Sequence, residues 1–346
     1  MRAAPTYQFE ESIVPKVLFS VLFSSLSLVA QTSAVVGAGY VPPAPVSVAP
    51  GQILTVYAAG LDVPSAAHAP AGALPTSLGG VTATLRQGSE LAVPILDVRS
   101  VSTCPNLAHI PEQTSCANLL AATVQIPYEL VPLCPLCARP TLLPAELFLS
   151  VNDHDSAPIE LNALADQVHV LSACDLILLP PGGAPPPNTT GLGCAPIVTH
   201  RDGSLVSASS PAEVGEALIA WVVGLGHTDS ATTTGQPAPA ADSTLQTYSL
   251  DFNYTVNALP VKPYTGRPDV KPPHPLFAGL APGYVGLYQV NFVVPPEPTG
   301  GTPRCPEQGT FGPGADVPQS NLTVSIGGGF SFDGAAICVA TRIPVD

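Results

Sequence analysis

An all-β chain of two tandem β-sandwich domains is the fold this sequence predicts, on three observations. First, proline (42) and glycine (30) supply about a fifth of the 346 residues. Each proline inside a helix costs ~3 kcal/mol, which excludes long helices but not short strands joined by turns. Second, apolar and polar residues alternate with a period of two in several short runs, as half-buried strands require. Third, three of those runs recur in the same order in the second half of the chain.

The clearest run is residues 279–295. The Ala281-Pro282-Gly283 turn leads into apolar Tyr288, Val290, Phe292 and Val294, with Gln289 and Asn291 on the other face and Pro295 as the stop. Upstream, strands are expected within residues 51–60, 74–85, 91–98, 119–127 and 147–151, with a β-like run over 159–171. In 119–127, Ala122, Val124 and Ile126 alternate against Thr123 and Gln125. In 321–326, Leu322, Val324 and Ile326 are expected in the core, with Asn321, Thr323 and Ser325 facing water.

The repeat rests on three matches. The spacing from Gly51 to Gly215 equals that from Gly60 to Gly224, and these glycines bracket QILTVYAAGL and EALIAWVVGL. The Ile-Pro ending at Pro127 matches the Val-Pro ending at Pro295 at nearly the same spacing. LFLSV, starting at Leu147, matches LTVSI, starting at Leu322, at a slightly wider one. The drift falls in loops, which argues for an internal duplication. The expected organisation is a signal peptide over residues 1–34, a first sandwich over 35–178, a Pro/Gly-rich linker over 179–197 and a second sandwich over 198–346.

The leader reading comes from Lys16, the apolar run 17–30, and the small residues Thr32 and Ala34 at the −3 and −1 positions of a cut after Ala34. Glu10 and Glu11 are atypical of a leader, and an uncleaved anchor over 17–36 is the competing reading. No later stretch is long and apolar enough to span a bilayer. The expected location is extracytoplasmic, secreted or at the cell surface. A net charge of −14 argues against nucleic acid and anionic membranes as partners, because both need a basic patch.

Eight cysteines fit export: Cys104, Cys116, Cys134, Cys137, Cys174, Cys194, Cys305 and Cys338. They allow 105 complete pairings. Local spacing suggests 104–116, 174–194 and 305–338, each adding ~2–4 kcal/mol if formed. Cys134-Pro-Leu-Cys137 is the sharpest motif. A redox dithiol needs a helix N-terminus and a zinc site needs two further ligands. Pro132, Pro135 and Pro140 surround the pair and no second C-x-x-C exists. It reads first as a stapled turn, and an extracytoplasmic redox or metal-dependent role is the alternative function.

Other polar groups read first as turns. Asn152-Asp153-His154-Asp155 has calcium-type oxygens but lacks the glycine and distal glutamate of a calcium loop. His200-Arg201-Asp202-Gly203-Ser204 holds the letters of a triad on one turn, where they cannot form the required relay. There is no G-x-S-x-G elbow and no H-E-x-x-H helix. Asp251 and Asp269 stand alone, and His227 is expected in an exposed loop. No catalytic residue, cofactor or metal is expected. Tyr57 and Trp221 occupy equivalent strand positions and read as core, whereas Tyr284, on its turn, is the better surface aromatic. Asn188, Asn253 and Asn321 begin N-x-T patterns and are expected to be unmodified.

The segments APGQILTVYAAGLDV, LPTSLGGVTATL, HRDGSLVSASSPAEVGEALIAWVVGLG and FAGLAPGYVGLYQVNFVVP resemble, in order, the Solibacter-type uncharacterised C-terminal domain family of bacterial secreted proteins. The resemblance spans most of residues 41–340. Each half also resembles immunoglobulin-like IPT/TIG repeats with their G-x-x-L-T-V-x-x-x-G-L opening strand. This implies two tandem immunoglobulin-like β-sandwiches and a bacterial exported protein, and it supplies no catalytic residues. The cysteines and the insertions around 102–118 and 296–318 depart from the pattern. The expected function is non-catalytic: an adhesion, binding or spacer module for an unknown surface protein or glycan.

Overall fold

The computed structural model describes residues 34–38 (backbone), 46–62, 65–101, 118–133, 144–173, 175, 195–264, 271–306 and 319–341. All belong to one compact unit, residues 32–346. Among them there is no α-helix, and no helix is long and apolar enough to cross a membrane. The fold is all-β.

The alternating runs form strands that share two apolar cores. In the first half, one sheet is ordered Ala34–Ala38, Ile53–Ala59, Leu119–Gln125, Ile95–Val101, Ala67–His68. A second is ordered Val46–Val48, Ile159–Ala163, Ala145–Val151, Val81–Gln87, Ser77–Leu78. Leu54, Val56, Ala122 and Val124 from the first meet Ala83, Leu85, Leu147 and Leu149 from the second in one cluster. In the second half, His169–Val170, Ala217–Val223, Tyr288–Val293, Phe277–Leu280 and Asp242–Ser243 make a third sheet. Ser249–Asn253, Leu322–Gly327 and Phe332–Ile337 make a fourth. Leu218, Ala220, Val290 and Phe292 meet Leu250, Val324, Ile326 and Ile337.

The segments aligned by the repeat occupy matching places. Leu54 pairs with Val124 as Leu218 pairs with Phe292. Val56 faces Ala122 as Ala220 faces Val290, and Ala58 faces Leu120 as Val222 faces Tyr288. The spacings that align the glycines and the proline endings thus carry one ladder onto the other. Ile53–Ala59, Leu119–Gln125 and Ile95–Val101 stand in the same order as Ala217–Val223, Tyr288–Val293 and Phe277–Leu280.

One expectation about an exposed face is corrected. Asn321, Thr323 and Ser325 do not face water but are buried, because residues 257–263 run as a strap across the outside of the fourth sheet. Thr323 donates to the Ala258 carbonyl (2.7 Å) and Ser325 Oγ accepts the Val261 amide (3.0 Å). Asn321 donates to the carbonyls of Pro303 and Val339 and accepts the Val339 amide. The Thr323 and Ser325 hydroxyls thus satisfy strap backbone groups that no ladder serves, while the Asn321 amide ties Pro303 and Val339. Thr123 and Gln125 are likewise buried. The outer face of the first sheet lies against the third, where Ile53 and Leu96 pack with Leu171, Ile197, Val223, Trp221 and Leu287.

The β-like run 159–171 divides between sheets: Ile159–Ala163 belongs to the second, His169–Val170 to the third. Val168 and Val170 already lie in the second core, upstream of the proline-rich stretch, of which residues 179–194 lie outside the described residues. Between them Asp166, with no solvent contact, accepts four donors from one hairpin: the amides of Gly329 (2.7 Å), Phe330 (3.2 Å) and Ser331 (3.0 Å), and the Ser331 hydroxyl (2.9 Å). Behind it, Gly224 has φ +79 and its Cα faces the Gln167 carbonyl so closely that a Cβ would stand 2.0 Å from that oxygen. Glycine is required there on both counts.

Replacing Asp166 by alanine removes the acceptor of all four bonds, at a predicted cost of about 3 kcal/mol. Urea unfolding of Asp166→Ala measures it, and a loss below about 1 kcal/mol contradicts the assignment.

Candidate functional site

Most of the described imidazoles and the buried carboxylates Asp97 and Asp166 are engaged in architecture, whereas His154 is exposed. His169, at 17% side-chain exposure, bonds Asp175 through Nε2 (2.9 Å) and Asp333 through Nδ1 (3.1 Å). Asp333 also accepts the Val170 amide and Asp175 the Ser172 amide. Burial pushes the imidazole pKa down, but the bonds to Asp175 and then Asp333 outweigh it and raise it to about 9. His169 is therefore an imidazolium that ties the junction to the last strand. Asp97 is buried between Arg99, which donates to its Oδ2, and His68, 3.3 Å from its Oδ1.

The predicted triad letters form a turn. The His200 amide bonds the Ser204 carbonyl, and Asp202 accepts both the amide and the hydroxyl of Ser204, which holds its carboxyl below the usual range. His200 points elsewhere, to Glu216 Oε1 (2.6 Å) and the Ser210 carbonyl (3.1 Å). The Glu216 bond raises its pKa. Asn152 and Asp153, at φ 51 and 65, are the two central residues of a tight hairpin closed by the Val151–His154 pair. Asp153 and His154 border a hollow of about 280 Å³ with Asp62 and Asp155. Among the described residues no group of three or more His, Cys, Asp or Glu is arranged to hold a metal ion.

Cys305 and Cys338 form a disulfide with a Cα–Cα distance of 5.5 Å. Cys104, Cys116, Cys134, Cys137, Cys174 and Cys194 lie outside the described residues, as do Asn188 and Asp269. Asn253 is exposed and takes the Thr255 hydroxyl, whereas Asn321 is buried. Asp251 accepts its neighbour's amide.

Tyr57 is buried, and Trp221 packs in the cluster between the first and third sheets while donating to Thr199 Oγ1 (3.2 Å). Tyr288 is fully buried. Its hydroxyl donates to the Gly226 carbonyl, so the 3.1 Å contact with Tyr128 is donated by Tyr128. Burial raises both phenols, Tyr128 to about 12, and keeps this relay protonated. His227 is half-buried beside the Tyr128 ring, centroids 6.1 Å apart, instead of lying free in a loop, and burial lowers its pKa.

The same region carries the open site. The loop 228–241 crosses onto the first half: Thr234 Oγ1 accepts the Tyr128 amide (2.9 Å) and donates to Glu129 (2.6 Å). The Gly235 amide donates to Gln125 Oε1 (2.7 Å), and the Gly235 carbonyl accepts the Leu74 amide. Gly286, at φ +60, lets the following turn approach, since a Cβ there would stand 2.6 Å from the Gly51 carbonyl oxygen. Fixed at this end, the loop leaves a hollow of about 220 Å³ between Ser230 and Asp242 on the other side. Next to it, Ala238 exchanges backbone bonds with Gly283 and Tyr284, and Tyr284 is 57% exposed.

Sequence reasoning found Tyr284 but missed Asp166, the His169 clasp and the hollow. Asp166 had two faint signals: a carboxylate interrupting an apolar run, and Gly327-Gly328-Gly329, where backbone can approach closely. No family model matches the chain, and no curated protein matches it at significant similarity.

The His169 clasp has a pH signature. With its pKa raised from 6.5 to about 9, the clasp contributes fully below about pH 6.5 and is lost as pH rises through 9. It is worth of order 3 kcal/mol. His200 adds in the same direction. Urea midpoints measured from pH 6 to pH 10 should fall for the wild type and fall less for His169→Gln; parallel curves contradict the clasp.

Proposed function

We propose that this chain is a secreted or cell-surface, non-catalytic module of two tandem immunoglobulin-like β-sandwiches, serving adhesion, binding or spacing. One observation carries the reading. The loop 228–241 is anchored on the first half by four hydrogen bonds and presents a hollow with exposed Tyr284 beside it. A rigid framework that leaves recognition to a loop at one end is how binding β-proteins are built. The Cys305–Cys338 disulfide supports an oxidising, extracytoplasmic location. The matching ladders support duplication of one unit, and the resemblance to the Solibacter-type family and to IPT/TIG repeats points the same way. The partner is a glycan or a surface protein.

The test is an array of glycans and surface proteins probed with the exported chain. Retention of at least one class is expected, weakened about tenfold by Tyr284→Ala with the urea midpoint unchanged. Turnover of esters, glycosides or peptides, abolished by changing one polar residue, contradicts the reading.

A further inference from the structure

The polar groups of the hollow are unequal in what they leave free. Thr228 donates its single hydroxyl proton to the Ser230 carbonyl (3.0 Å), so the 2.8 Å contact between Thr228 and Thr232 is donated by Thr232. Thr232 Oγ1 keeps its acceptor capacity. Asp242 takes the Ser230 amide on Oδ2 (3.2 Å), and its Oδ1 has no hydrogen-bond partner among the described residues. Thr233 and Gln236 add a hydroxyl and an amide at the wall. Among the described residues no lysine, arginine or histidine lines the hollow, and the remaining lining is proline, alanine and Leu280.

We infer that this hollow binds one neutral, hydroxyl-rich ring, a terminal sugar residue of a glycan. The inference rests on the binding reading above and narrows its ligand. An anionic ligand would meet the Asp242 carboxylate with no cation to offset it. A sugar hydroxyl instead donates to Asp242 Oδ1, a charge-assisted bond about twice as strong as a neutral one, and a second donates to Thr232 Oγ1. The C–H face of the ring lies on the proline and alanine wall, which has no hydrogen-bonding demands of its own. Size limits the ligand further. At about 220 Å³ the space is below the ~300–1,000 Å³ of pockets that enclose drug-sized molecules, so one ring enters and the rest of a glycan stays outside, towards Tyr284.

The experiment titrates the exported chain with methyl glycosides of neutral hexoses, with the matching uronic acids and with an alanine-proline peptide, followed by NMR shift changes. Saturable binding of at least one neutral glycoside is expected. The uronic acids should bind about tenfold more weakly, and Asp242→Asn should cost about tenfold. Ala240→Phe, which fills the hollow without removing a hydrogen bond, should abolish binding with the urea midpoint unchanged. Absence of glycoside binding, or binding that neither variant alters, overturns the sugar assignment. So does preference for the peptide. If the array still retains a surface protein in a Tyr284-dependent way, the binding reading survives that failure; if it retains nothing, both fall.

Discussion

A carboxylate shut away from water sets the arrangement of this chain. Asp166 is tolerable in the interior only because four donors from the 328–331 hairpin converge on it. Those bonds pin the segment leaving the first core to the last hairpin of the second. The segment then passes Gly224 at a distance no side chain allows and delivers His169–Val170 as a strand beside Ala217–Val223. From there His169 reaches Asp333, and Leu171 enters the cluster between the first and third sheets. Both cores are therefore tied at their junction.

This constraint explains where polar groups went. Strands exposed on one face in an isolated sandwich are covered on both faces here, by the loop 228–241 at Gln125 and by the strap at Thr323 and Ser325. Most covered polar groups find a partner, although Gln125 Nε2, Asn291 Oδ1, Thr302 Oγ1 and Ser320 Oγ have none among the described residues, and this absorbs many of the threonines, asparagines, histidines and carboxylates that would otherwise be candidates for chemistry. The loop 228–241 is the exception. It is anchored on one side and open on the other, so the acceptor side of Thr232 Oγ1 and Asp242 Oδ1 remain available at a fixed position.

The strands were legible because period-two alternation and proline stops are local. The matching ladders were legible because glycines such as Gly51 and Gly215 punctuate each opening strand at constant spacing. Outer-face burial was not legible, because Thr323 looks the same whether it meets water or the Ala258 carbonyl. The clasp joins His169 to Asp333, almost half the chain away, and no pattern within a short window encodes such a pairing. The hollow was missed for a related reason: a loop of alanine, proline and threonine reads as a plain connection until its anchors on Tyr128, Glu129, Gln125 and Leu74 are seen.

The central claim is that the two cores are one mechanical body, joined at the junction and across the facing sheets. The chain has a single tryptophan, and Trp221 sits in the cluster between those sheets, so its fluorescence reports the contact itself while far-UV circular dichroism reports the strands. Urea unfolding followed by both signals should give coincident, single transitions. A fluorescence transition completed at lower urea, with the dichroism still native, would show that the contact opens while the cores persist, and would contradict the account.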